Sequence, residues 1–271
     1  MPEISVILSV YNPNIDELLM AVDSILNQTF SDFELLLYDD GSDINYVDTL
    51  STISNRDDRI RFIRSEDHHS LAYGLNYSIG LCRGRYIARM DGDDISEEDR
   101  LEREYTFLEE HPEYDYVGSN ISLIDNSNQV FGKRLFPEKP CERDFLKYQP
   151  YAHPSLMFRR EILNTNKPYG EDEMPRRGED YELLMRLHSE GHKGYNIQDS
   201  LLKYRETLDG YKRRAFKYQI QEVTIRWNGF RKLGLYPIPN IMYVIKPVLV
   251  WMVPNRLKMR IKRKRNSESQ S

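Results

Sequence analysis

The chain of 271 residues holds two cysteines, Cys82 and Cys141, and they do not form a CxxC pair. That excludes a cysteine zinc site and a disulfide framework, and it suits a reducing compartment. No charged stretch with an apolar core precedes the first strand-like segment, so no secretory leader is expected. No GxGxxG follows that segment, and neither GxxxxGK[ST] nor HExxH occurs. The glycine cradles that hold phosphates and the helical zinc pair are therefore excluded. A nucleotide bound here must be held by carboxylates, a metal and basic side chains. Long apolar runs are also missing. The most apolar stretch, residues 241–253, is interrupted by Lys246 and Pro247. It falls short of the roughly 20 residues an independent membrane span needs.

The composition is that of a folded chain, with 39% apolar and 30% charged residues. The net charge of −5 conceals an asymmetry. Of the 38 Lys and Arg, 17 lie beyond residue 200, against four of the 43 Asp and Glu, so that region carries +13 and the first 200 residues −18. An acidic body with a basic tail predicts that the tail meets something anionic.

The first hundred residues alternate apolar runs with helical patterns. Ile4 to Val10 reads as a strand buried on both faces. Ile15, Leu18, Leu19, Val22, Ile25 and Leu26 recur at helical spacing. Phe33 to Tyr38, Ile60 to Ile63 and Tyr86 to Met90 read as further strands. A weak helix holds Val47, Leu50 and Ile53. Ser70 is placed to cap a helix carrying Leu71, Leu75 and Ile79, and Gly84 fits just beyond its end. This alternation predicts βαβ units in a largely parallel sheet, with ligands beyond the carboxyl ends of the strands. Two acidic turns stand at such ends, Asp39-Asp40-Gly41-Ser42 and Asp91-Gly92-Asp93-Asp94. Further on, a charged helix is expected from Glu97 to Glu110. Strands are expected at Tyr116–Gly118, around Ile121 and Phe131, at Leu156–Phe158 and at Leu201–Tyr204. A helix is expected from Glu179 to Glu190, and a long basic one from Lys212 towards Leu233.

Asp91 and Asp93, one residue apart on a tight turn, suit one hard cation whose other ligands are waters and substrate phosphates. The plain alternative is a solvated acidic turn before a helix. Asp40, beside Asp39, suits a hydrogen bond from a nucleobase or ribose; the plain alternative is turn chemistry. Glu179 and Asp180 open a helix, where the helix dipole already favours acids, yet either suits a general base. His153 and Arg205 are candidate substrate contacts.

In combination these segments resemble glycosyltransferase family 2, the inverting GT-A enzymes that use nucleotide-sugar donors. The likeness lies in Ile4 to Asn12, Ser24 to Phe30, Phe33 to Ser42, Gly84 to Asp94, Asp99 to Leu101, His153 to Arg159 and Gly178 to Leu183, in the family's order over about residues 3–205. The resemblance implies a GT-A, Rossmann-like α/β fold, its mostly parallel sheet flanked by helices. It implies that Asp93 contacts a Mn²⁺ or Mg²⁺ ion with Asp91 beside it. Asp40 would contact the base, usually uracil, with Asp39 adjacent, and Ser9 and Tyr11 would cradle the nucleotide. Asp180 would be the catalytic base with Glu179 next to it. Arg205, in Lys203-Tyr204-Arg205, would reach phosphate or acceptor, and His153 would sit near the acceptor. Gly92 stands where many members carry Ala. A nucleotidyltransferase is the rival enzyme, discounted because Ser9-Val10-Tyr11-Asn12-Pro13 replaces a glycine-rich loop. A non-catalytic membrane adaptor is the rival of another class, and the intact Asp40, Asp91, Asp93 and Asp180 argue against it.

The tail joins an apolar, aromatic stretch at residues 241–253 to the basic cluster Lys258 to Arg265. That pairing reads as an anchor on an anionic leaflet rather than a hairpin packed on the body. No nucleic-acid module surrounds these residues. The expected organisation is a glycosyltransferase domain over residues 1–210, with a nucleotide half to about residue 95 and an acceptor half from 96. A basic, helical C-terminal region follows over 211–271. The expected partners are a nucleotide-sugar donor, a glycan or lipid-linked oligosaccharide acceptor and the anionic inner face of the cell membrane. The expected activity is sugar transfer in bacterial surface polysaccharide synthesis.

Overall fold

Strand β1 (Ile4–Val10) lies inside the sheet, flanked on both edges by parallel partners. A computed structural model describes residues 1–164, 168–170, 178–206 and 216–253. After β1 come α1 (Ile15–Leu26), β2 (Phe33–Asp39), α2 (Ile44–Ser54), β3 (Ile60–Arg64), α3 (Leu71–Leu81) and β4 (Tyr86–Met90). The strands stand in the order β3-β2-β1-β4, all parallel. The side-chain period of two explains why β1 carries apolar residues on both faces, with only Ser5 and Ser9 polar. Ile4, Val6, Leu8 and Val10 pack with Leu18, Ala21, Val22 and Ile25 of α1. Ile7 packs on the opposite face with Ala72, Leu75 and Ile79 of α3. Each such side chain contributes roughly 1.5–3 kcal/mol on leaving water.

Local chemistry sets the helix starts. Asn14 accepts hydrogen bonds from the backbone N–H groups of Asp16 and Glu17, and Ser70 accepts from that of Tyr73 at 3.2 Å, as its sequence position predicts. Gly84 has a different role from the helix terminus expected of it. A Cβ there would lie 2.6 Å from the backbone N of Ser5, so glycine lets the chain enter β4 against β1.

The second half makes the sheet mixed. It contains β5 (Ile95–Ser96), α4 (Arg100–Glu110), β6 (Tyr116–Ile124), β7 (Val130–Arg134), α5 (Asp144–Lys147), β8 (Met157–Arg159), α6 (Glu179–Ser189) and β9 (Gly194–Arg205). β8 is antiparallel to both β4 and β6, β9 runs parallel to β6, and β5 is antiparallel to β9. β7 pairs with β6 as the expected antiparallel addition. Several boundaries differ from expectation. The segments at Tyr116 and Ile121 are one fully buried strand. The last strand starts at Gly194, because its polar residues pair along β6 although they carry no apolar pattern. The charged helix starts at Arg100, because Ile95 and Ser96 are spent on pairing with β9.

Among the described residues the C-terminal region comprises α7 (Phe216–Lys232), α8 (Ile241–Val244) and α9 (Lys246–Met252). The start of the expected basic helix, residues 212–215, and the cluster Lys258 to Arg265 lie outside the described residues. Part of the stretch at 241–253 packs on the body: Val244 is buried beside Phe230 and Leu233, and Arg226 donates to the Tyr243 carbonyl. Its other face is open, with Ile241, Met242, Leu249, Val250 and Met252 exposed. Among the described residues, no helix is long and apolar enough to cross a membrane.

Candidate active site

The carboxyl ends of β1, β2 and β4 carry the first group of candidate residues. Asp39 closes β2 and is fully buried. Its Oδ1 accepts from the Ser42 N–H at 2.9 Å and its Oδ2 is paired with Arg64. Both oxygens are spent inside the protein, which corrects the expectation that Asp39 meets a donor: it builds the turn. Asp40 comes next, its N–H donating to the Val10 carbonyl, which ties the turn to β1. Its buried carboxylate accepts from the His69 N–H at 3.2 Å and lies 3.0 Å from Nδ1 of His68. Burial raises the Asp40 pKa, opposed by the His69 hydrogen bond and the charges of His68 and His69. Tyr11, just beyond β1, is half-exposed and stacks on His68 with ring centroids 3.8 Å apart. Ser9 reaches the same end of β1, its Oγ beside Gly74 of α3.

The second acidic turn leaves β4. Asp91, Asp93 and Asp94 each offer a carboxylate oxygen, all within 4.8 Å of one another. Asp93 reaches the surface, Asp91 is half-buried and Asp94 is fully buried. Desolvation of the Asp93 carboxyl and the charge of Asp91 raise its pKa, and burial raises that of Asp94 further. One Asp94 oxygen accepts from the Arg205 N–H at 2.8 Å, while the other is buried without a partner. A cluster in which Asp91 raises the pKa of both Asp93 and Asp94 is a chemically sound seat for a hard divalent cation, which relieves that repulsion. Asp94 is an addition to the pair read from sequence.

Arg205 differs from its expected role. It is buried, and its guanidinium donates to the carbonyls of Asp93 and Asp125 and to Oδ1 of Asn128. It holds the acidic turn and is not free to reach a phosphate.

A crevice of about 920 Å³ joins the turn to the second half of the molecule. Its walls include Asp91, His153, Glu179, Asp180 and Tyr204, so four of the sequence candidates share one cavity. Glu179 and Asp180 form the first turn of α6, whose start is set by Gly178 at φ +95°. Burial and the neighbouring Asp180 push the Glu179 pKa up to about 7, and its Oε2 is buried without a partner. Burial also raises the Asp180 pKa, opposed by hydrogen bonds from the Tyr181 N–H and Gln149. A carboxylate with a raised pKa is a stronger base, suited to taking a hydroxyl proton near neutral pH. His153 is buried, with Nε2 2.7 Å from the Tyr169 hydroxyl. Burial and the charge of Arg89 hold its pKa well below the usual histidine value, so it stands there as a neutral imidazole.

Arg89 is a site residue that the sequence pattern does not single out. It lies on β4, 1% exposed, and its guanidinium pairs with Asp91 and lines the crevice. A lone arginine inside an otherwise apolar strand is the available signal, since a buried cation needs an anionic reason to be there.

Known proteins give the same picture. The family model described as glycosyl transferase family 2 matches residues 5–166. A putative glycosyltransferase of Bacillus subtilis (strain 168), EpsE, is 36% identical over 265 residues, covering 97% of this chain and 94% of its own length. The O-antigen biosynthesis glycosyltransferase WbnJ of Escherichia coli is 32% identical over 210 residues, covering 74% of this chain and 79% of its own. Among solved structures, S. aureus TarS 1-349 in complex with UDP-GlcNAc shares the fold with a TM-score of 0.67 at 17% identity, covering 92% of this chain and 72% of that one. The acidic turns at the strand ends and the GT-A sheet that presents them thus have one explanation: the chain belongs to glycosyl transferase family 2.

Proposed function

We propose that the protein moves a sugar from a UDP-sugar to a hydroxyl of a lipid-linked glycan, inverting the anomeric centre, in the assembly of a bacterial surface polysaccharide. The observation that carries this reading is the single crevice in which Asp91 of the acidic turn faces Glu179 and Asp180 of α6. The donor end is then built by Ser9, Tyr11 and Asp40. Asp40 accepts from the imide N–H that uracil has and cytosine lacks. Asp93, with Asp91 and Asp94, is the seat for Mn²⁺ or Mg²⁺, which when bound offsets the negative charge of the diphosphate. Asp180 takes the proton of the acceptor hydroxyl, its basicity raised by burial and by the charge of Asp91, with Glu179 beside it. Attack from the Asp180 side, opposite the leaving diphosphate, inverts the sugar. Neutral His153 hydrogen-bonds an acceptor hydroxyl without attracting the donor phosphates. Complexes of TarS with UDP-GlcNAc and the O-antigen role in the name of WbnJ support the donor and the product class.

The lipid-linked acceptor and a place on the inner face of the cell membrane rest on the C-terminal region, residues 211–271. Tyr236, Ile238, Met242 and Met252 are each more than 60% exposed there. An exposed apolar, aromatic surface next to a basic segment is the pairing that holds a protein at an anionic leaflet.

The test is a donor-hydrolysis and transfer screen of purified protein with Mn²⁺ or Mg²⁺ against UDP-, GDP- and dTDP-sugars. Turnover of a UDP-sugar that rises with a diphosphate-lipid-linked saccharide supports the reading. Preference for a GDP-sugar overturns the donor assignment.

A further inference from the structure

Tyr11, Asp40, His68 and His69 form an assembly that the catalytic reading does not use in full. The loop between β3 and α3 is pinned to the first acidic turn. A Cβ on Gly41, at φ +74°, would lie 2.5–2.7 Å from the backbone of Asp67 and His68, so only glycine permits that approach. The His69 N–H donates to the Asp40 carboxylate at 3.2 Å, and the His69 ring is stacked on Tyr73 at 4.0 Å. The backbone at 68 and the ring at 69 are thus both held. The His68 side chain is different: it is 48% exposed, and its contacts are the Tyr11 face and Asp40.

Those contacts have a particular chemistry. The His68 imidazole is a flat heteroaromatic ring lying on the Tyr11 ring at 3.8 Å and 23°. Its Nδ1 lies 3.0 Å from Asp40 Oδ2. A stacked ring with a nitrogen on the Asp40 carboxylate is also what a uracil base needs from Tyr11 and Asp40. At 3.8 Å the two rings are in contact, so no second ring fits between them. We propose that His68 holds the nucleobase place by imitation, and that a uridine nucleotide binds by displacing its side chain from Tyr11 and Asp40. This rests on the assignment of Asp40 to the base.

The consequence is a competition inside the binding site. Apparent affinity equals intrinsic affinity reduced by the fraction of molecules in which the ring has swung out. A base that both stacks and donates to Asp40 displaces the imidazole well, whereas one that only stacks does not. His68 then acts as a specificity residue, because it sets a threshold that poorly matched bases fail to meet.

The experiment is calorimetry of UDP, CDP and inorganic pyrophosphate with Mn²⁺ on the wild type and on His68→Ala. UDP binding to the variant should tighten about fivefold. CDP should gain more than UDP does, narrowing the discrimination, and pyrophosphate should be unaffected. Weaker or unchanged UDP binding would overturn the proposal, because His68 would then be a wall of the base pocket or a bystander. NMR of the wild type gives a second readout. The His68 ring protons, shifted upfield by the Tyr11 face, should move downfield when UDP is added, and fixed resonances under saturating UDP would also overturn it. Failure of the base assignment looks different: wild type binding UDP and CDP alike, with Asp40→Ala leaving UDP affinity intact, removes the Asp40 reading whatever His68 does.

Discussion

Arg205 donates its backbone N–H to Oδ1 of Asp94 at 2.8 Å, across 111 residues of chain. Its side chain then reaches the Asp93 carbonyl and, on the far side, Asp125 and Asn128. The acidic turn at the end of β4 is thus fastened by the last residue of β9. Carboxylates that repel one another need such fastening, since the turn would otherwise relax by spreading.

Removing that side chain should loosen the turn and the fold together. Arg205→Ala strands several buried hydrogen-bond acceptors, and the loss should be about 3 kcal/mol. Urea unfolding measures it, with a fall in the midpoint and little change in slope. Mn²⁺-dependent UDP affinity should fall in the same variant. A variant as stable as wild type would show that the turn holds itself.

The proposed metal site predicts that UDP affinity depends on Mn²⁺ or Mg²⁺ through Asp93. Asp93→Asn should remove that dependence while circular dichroism stays native, because Asp93 reaches the surface and fills no core position. Calorimetry with and without Mn²⁺ reads the difference. Equal wild-type affinity in both conditions would take the cation away from this turn.

The proposed general base predicts a pH profile. A general base works only when ionised, and both Asp180 and Glu179 have raised pKa values, Glu179 to about 7. Transfer should therefore begin to fall at a higher pH than an ordinary aspartate would allow. Asp180→Asn should lower turnover by about 10²–10⁴-fold with donor affinity retained. Glu179→Gln removes a neighbouring negative charge, so the acid limb should move to lower pH with the alkaline plateau kept. Loss of the plateau instead would make Glu179 the base.

Gly41→Ala introduces a Cβ into the backbone of the β3–α3 loop at a positive φ. The strain should amount to about 1–3 kcal/mol. The cost falls on the base-binding end, so UDP affinity should drop at least several-fold while metal-dependent pyrophosphate binding persists. Isothermal titration with the two ligands separates these effects.

The C-terminal surface predicts binding to anionic vesicles that salt weakens without abolishing. Replacing Ile238 and Met242 together by Asp should remove the salt-resistant remainder and leave UDP binding unchanged. Co-sedimentation at low and high salt reads this. A wild type that stays in the supernatant at low salt would overturn the proposed membrane placement and remove the support for a lipid-linked acceptor.

The parallel half is legible in the sequence because its signals are local. Ile4 to Val10 is apolar at every position except Ser5 and Ser9, and only a strand covered on both faces accommodates that. The Ser70 cap and the turn at Asp91 likewise depend on neighbours in sequence. The mixed half is harder for a physical reason. Gln198 and Asp199 look like loop residues and are bulged out between the Ser119–Ile197 and Asn120–Ser200 pairs, yet β9 continues through them because β6 takes up the pairing again at Ser200. The site divides in the same way. Sequence pattern names the carboxylates, but it does not say which polar groups the protein spends on itself. Asp39 and Arg205 read as ligand contacts because only the fold reveals Arg64 waiting for the one and Asp93, Asp125 and Asn128 for the other.

The bond between Asp94 and Arg205 also limits how such enzymes can be recombined. The proposed donor end lies within the residues up to Asp94 and the proposed acceptor wall beyond it, which invites chimeras joined just after the acidic turn. In this protein such a junction would cut through a matched pair. A graft from a relative must bring a backbone N–H for Asp94 and an arginine for the Asp93 carbonyl at the end of the final strand, or the inherited carboxylates would meet a wall that no longer grips them. Exchange of acceptor preference should therefore succeed between relatives that carry an arginine at the end of the final strand and fail where that arginine is missing, however alike the exchanged segments are elsewhere.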